Sequence, residues 1–180
     1  MLINTLLEIS QNNKNASIYT NFNETSKFHY GRIICVNSEE LAIYMISPDG
    51  LYDGILLKKT EDIIRVEVDG QYDKKMKKLC SLSQLQPFEY SLDSTNIKAS
   101  LLEVALQSRR VVALELVDSG YKDVVGFVDG ISDGLCKIKI IDEYGFEDGY
   151  CFVMTDKITE ISYASQDECR IIKLWKLNNR

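Results

Sequence analysis

The chain has 180 residues, 45% of them hydrophobic and 27% charged, with a formal net charge of −6. Ten basic residues stand against twelve acidic ones up to Tyr90, and eleven against fifteen after it, so neither half has the basic excess with which a general nucleic-acid binder neutralises phosphates. No apolar run approaches the roughly 18–20 residues of a membrane span, and the apolar start lacks the basic lead-in and small-residue cleavage site of a signal peptide.

A short amphipathic helix opens the chain, with Leu2, Leu6 and Ile9 at helical spacing. Strands are predicted at residues 17–22, 28–36 and 41–46, then at 55–59 and 63–68 after a turn. A closing helix carries Tyr72, Met76, Leu79 and Cys80 on one face. Residues 86–96 hold Pro87 and a Ser/Asp/Thr/Asn cluster and read as a linker. The same series then returns. Leu101, Leu102 and Ala105 mark a helix, strands are predicted at 111–117, 123–131, 135–141, 150–155 and 158–163, and Ile171, Leu174, Trp175 and Leu177 close it.

The two series match at a constant offset of 95 residues without a gap. Leu6-Leu7-Glu8-Ile9 returns as Leu101-Leu102-Glu103-Val104, Gly31 as Gly126, Gly50 as Gly145, Asp53-Gly54 as Asp148-Gly149, and Lys78-Leu79 as Lys173-Leu174. An internal repeat of this length points to two copies of one small module, at residues 1–85 and 97–180. What the copies share is glycine, aspartate-glycine and apolar positions, which serve shape. Gly50 and Gly145 fall where a hairpin needs positive φ. Gly54 and Gly149, at the entry to the next strand, suggest a bulge or sharp bend. Asp53 and Asp148 beside them fit an aspartate that bonds the backbone of a turn.

A helix followed by five short bent strands, with Gly31-Arg32-Ile33 and Gly126-Phe127-Val128 opening the second strand, resembles the Sm-like domains. The resemblance implies two tandem five-stranded Sm/SH3-like small barrels, mostly β with flanking helices. In that family an Asp or Asn after the glycine binds uridine together with an Arg-Gly or Lys-His pair between the fourth and fifth strands. Asn37 and Ser132 occupy the first place here. The second reads Lys59-Thr60-Glu61-Asp62 and Met154-Thr155-Asp156-Lys157, so the resemblance covers the fold and not the uridine pocket.

Reactive side chains are few. Cys35, Cys80, Cys136, Cys151 and Cys169 are odd in number and form no CxxC, which fits free thiols in a cytoplasmic protein without a metal site or cofactor. His29 is the only histidine. It has no partner suggested by sequence and reads as a strand residue. Lys74, Lys75, Lys77 and Lys78 are echoed by Arg170, Lys173, Lys176 and Arg180. They form either a solvated helix face that complements the helix dipole or a surface for an acidic partner or a phosphate backbone. Tyr52, Tyr72, Tyr121 and Tyr144 are aromatic candidates for stacking. The expectation is a non-enzymatic binding or scaffold protein that acts through edge strands, at 55–59 and 158–163 or their counterparts in the other copy, and through its terminal helices. Its partner is expected to be protein, as self-association or another cytoplasmic protein. The alternative is an RNA-associated protein that binds through Lys74, Lys75, Lys78, Arg170, Lys173 and Lys176 on the closing helices. No membrane role is expected.

Overall fold

The structure, a computed structural model, describes residues 1–83 and 90–180. Residues 86–89 of the predicted linker, with Pro87, lie outside the described residues. The chain divides into two compact units, Met1–Ile97 and Lys98–Arg180.

The first unit contains α1 (Leu2–Gln11), β1 (Asn15–Tyr19), β2 (His29–Val36), β3 (Glu40–Ile46), β4 (Tyr52–Lys59), β5 (Arg65–Glu67) and α2 (Gln71–Cys80). α3 (Ile97–Ser108) leads into the second unit, followed by β6 (Val111–Leu116), β7 (Val124–Ser132), β8 (Leu135–Ile141), β9 (Glu147–Met154), β10 (Ile158–Tyr163) and α4 (Gln166–Asn178). Short 3₁₀ turns, Thr60–Asp62 and Thr155–Lys157, stand between the fourth and fifth strands of each. The predicted strand ends shift by up to three residues, most at β1, which starts two residues earlier and ends three earlier than predicted; β5 is only three residues long.

The strand order corrects the expectation of two closed Sm/SH3-like barrels. Within each unit the five strands form an open antiparallel run, in the order β5-β1-β2-β3-β4 in the first and β10-β6-β7-β8-β9 in the second. Within the first unit β5 pairs with β1 and β4 with β3; within the second β10 pairs with β6 and β9 with β8. In neither unit do the fourth and fifth strands pair with each other, so neither barrel closes. Closure requires strand tilt and register to bring the last strands together. Alternation and bend glycines carry no such information. The Sm-like resemblance falls with the closure it implied.

Strand bending follows from local sequence. The register slips between Ile33 and Cys35 and between Tyr44 and Ile46 in the first unit, and 95 residues later between Val128 and Gly130 and between Lys139 and Ile141. Each slip is a bulge that sharpens the local twist. Gly31 and Gly126 let neighbouring backbones approach: a Cβ on either would lie 2.0 Å from a carbonyl oxygen, that of Tyr44 or of Lys139. The first core gathers Leu6 and Ile9 from α1 against Ala16, Ile18, Ile33, Val36, Leu41 and Ile43. In the second unit Leu101, Val111, Val128, Cys136 and Ile138, which stand 95 residues after Leu6, Ala16, Ile33, Leu41 and Ile43, are buried in turn. Burial of such side chains, at about 25 cal/mol per Å² of apolar surface, is the main stabilising term for each unit.

Candidate functional site

Among the described strands, β9 carries three exposed large apolar side chains, Tyr150, Phe152 and Met154. Among the described residues this strand pairs only with β8, with Lys139 opposite Tyr150, Lys137 opposite Phe152 and Leu135 opposite Met154. Because side chains alternate along a strand, Val153 turns into the core while Tyr150, Phe152 and Met154 face outward together, 51%, 61% and 50% exposed. Tyr144 and Phe146, in the preceding turn, are exposed as well. Lys137 Nζ stands 4.1 Å from the Tyr150 ring centroid and 2.5 Å from Asp129. Lys139 pairs with Glu147 at 2.8 Å, and Glu147 also accepts from the Trp175 indole at 3.2 Å. Both contacts draw the Glu147 carboxyl below the usual range, the lysine bond more strongly. The corresponding side chains of β4, Ile55 and Leu57, are only 1% exposed.

The turns before β4 and β9 are built alike. Gly50 and Gly145 have φ of +77° and +83°. A Cβ there would strike the closing helix, 2.7 Å from Leu79 Cβ or 2.6 Å from Leu174 Cβ. The side chain that organises the second turn is Asp142, which accepts from the backbone N–H groups of Tyr144 and Phe146; Ser47 accepts from Leu51 in the first. Gly54 and Gly149 also have positive φ. Asp148 is exposed, whereas Asp53 is half-buried and lines a cavity. The Asn37 amide is used in a turn as well. Its oxygen accepts from Glu39 and Glu40 N–H groups and its nitrogen donates to the Ser94 carbonyl.

That cavity, of about 430 Å³, is formed within the first unit by Phe28, His29, Tyr30, Met45, Asp53 and Tyr72 among others. Tyr30 donates its hydroxyl to buried Asp73 at 2.7 Å. Burial first, and this bond second, push the Tyr30 hydroxyl far above the ordinary tyrosine value. A second cavity, of about 660 Å³, lies in the second unit beside Phe127, Lys139, Trp175 and Lys176.

The basic residues divide between the units. Lys74, Lys75 and Lys78 are exposed on α2, and Arg170, Lys173 and Lys176 on α4. Lys77 pairs with Asp73 at 2.7 Å and lies 3.7 Å from Asp69, and Arg170 pairs with Asp167. Among the tyrosine candidates, Tyr121 and Tyr144 are exposed, Tyr52 packs 4.6 Å from Tyr44, and Tyr72 lines the first cavity. Among the described residues no three His, Cys, Asp or Glu side chains gather for a metal ion, and no helix is long and apolar enough to cross a membrane.

Sequence reasoning passed over two residues, Asp73 and Glu168. Both are buried acids on closing helices. The signal was present, because they stand 95 residues apart and both are acidic.

The chain matches no family model, no curated protein and no solved structure.

Proposed function

We propose that the chain is a non-enzymatic binding protein that takes a strand of a protein partner along β9. The carrying observation is the outward row Tyr150, Phe152 and Met154 on a strand that, among the described residues, is paired on one side only. A strand edge presents unpaired N–H and C=O groups to which another strand can add. Aromatic side chains beside the edge supply apolar area that main-chain hydrogen bonds lack. The comparison with β4 supports the reading, since the same two places hold Ile55 and Leu57 under cover.

The partner is protein, and self-association is the form that the purified chain can display alone. Sedimentation velocity over a hundredfold concentration range tests it. The wild-type chain is expected to form a larger species as concentration rises, and Tyr150→Lys with Phe152→Lys to remain at the smaller one. A larger species that persists in the double variant would place the contact elsewhere. Binding through Lys74, Lys75 and Lys78 or through Arg170, Lys173 and Lys176 would instead appear as salt-dependent affinity for RNA.

A further inference from the structure

The cavity of the first unit has a corner of three rings, Phe28, Tyr30 and Tyr72, where the second unit's cavity has the pair Phe127 and Trp175. Tyr72 meets Phe28 at 4.9 Å and 86°, and Tyr30 at 5.2 Å and 78°. Asp53 also lines the cavity. Ninety-five residues on, the positions of Phe28, Tyr30 and Tyr72 hold Asp123, Val125 and Asp167. The second unit forms the same series of strands without those rings, so the strand series by itself does not call for Phe28 and Tyr72. Of this group only the carboxylate is shared, as Asp148.

The faces of aromatic rings are negative and attract a cation held within about 6 Å of the centroid. Tyr72 already receives one, since Lys75 Nζ stands 5.4 Å from its centroid. Lys27, the ammonium on the cavity wall, is drawn to Glu24 at 2.8 Å. A cavity of about 430 Å³ falls in the range of small-ligand sites. A plain ammonium is strongly hydrated and gains little by entering. A methylated ammonium is weakly hydrated, presents methyl groups to the rings and keeps its charge.

We propose that this cavity binds a methylated ammonium cation, with Phe28 and Tyr72 as walls. The cation belongs either to a small molecule or to a methylated lysine side chain. NMR titration of the full chain with choline, with Nε-trimethyllysine and with 3,3-dimethylbutan-1-ol, the uncharged isostere of choline, tests it. Both cations are expected to shift the Phe28 and Tyr72 ring signals, and the isostere to bind about tenfold more weakly than choline. Whichever cation binds more tightly identifies the source. Tyr72→Leu is expected to weaken choline binding about tenfold. Equal binding of choline and its isostere by the wild-type chain would overturn the proposal. So would unmoved ring signals at saturating choline. Neither of these results depends on a variant that folds.

Discussion

Asp73 and Glu168 hold the same place in the two closing helices, 95 residues apart, and both are buried, at 5% and 1% exposure. Asp73 accepts the Tyr30 hydroxyl and pairs with Lys77. Glu168 accepts from the Ser162 hydroxyl at 3.0 Å and the Ser165 N–H at 2.8 Å, and pairs with Lys122 at 3.1 Å. Each acid therefore fastens a closing helix to its own strands, with different partners doing the same work.

Removal of the Tyr30 hydroxyl is expected to cost about 1–3 kcal/mol, since a buried carboxylate loses a donor. The pH dependence has a defined sign. The folded-state value of Tyr30 lies above the unfolded one of 10.0, so its stabilising contribution is whole below that pH and declines as pH rises from there toward the folded value. Denaturant melts from pH 8 upward should show a shallower alkaline loss for Tyr30→Phe than for the wild type.

Glu168 has two roles that separate by mutation. With Ser165 it forms a capping box at the start of α4, and Ser165→Ala should cost about 1 kcal/mol. Glu168→Ala also takes the acceptor from the Ser162 hydroxyl and leaves Lys122 with Asp167 alone, at 3.3 Å, and should cost about 2 kcal/mol. Chemical denaturation of the two variants checks the order.

Close approach of backbones makes Gly31 and Gly126 intolerant of any side chain. Alanine at either is expected to destabilise by at least about 2 kcal/mol, because a carbonyl oxygen occupies the space. Gly130 has nothing within 4 Å of a built Cβ, and Gly130→Ala should stay within about 0.5 kcal/mol of wild type. Equal losses at Gly130 and Gly126 would contradict the packing described.

Burial, with a smaller influence from Cys151, pushes the Cys136 thiol up to about 11. Thiolate is the reactive form, so Cys136 should be the last of the five cysteines to be alkylated in the native chain at pH 8, and should react at an ordinary rate once unfolded. Mass spectrometry of timed samples reads the order.

The 3.6-residue and two-residue periodicities made the helices and strands legible, and the constant offset made the glycine contacts legible. Gly50 and Gly145 sit in turns of positive φ that only glycine enters cheaply. Strand partnership was not legible. Alternation in Leu135–Ile141 says which residues face one way, but not whether the fourth strand of a unit finds the fifth. The β9 surface was readable only in part. Its edge was among the predicted contacts, yet nothing in the letters of Tyr150 and Phe152 separates a covered strand from an open one. The aromatic corner was missed because Phe28, Tyr30 and Tyr72 are scattered along the chain, and only folding brings the three rings together.

Amide hydrogen exchange along residues 150–154, followed by mass spectrometry at low and high protein concentration, tests strand addition at β9 most directly. Exchange at these amides is expected to slow with concentration, while that of the exposed Tyr121 turn stays unchanged. Assembly that leaves residues 150–154 exchanging at the dilute rate would contradict it.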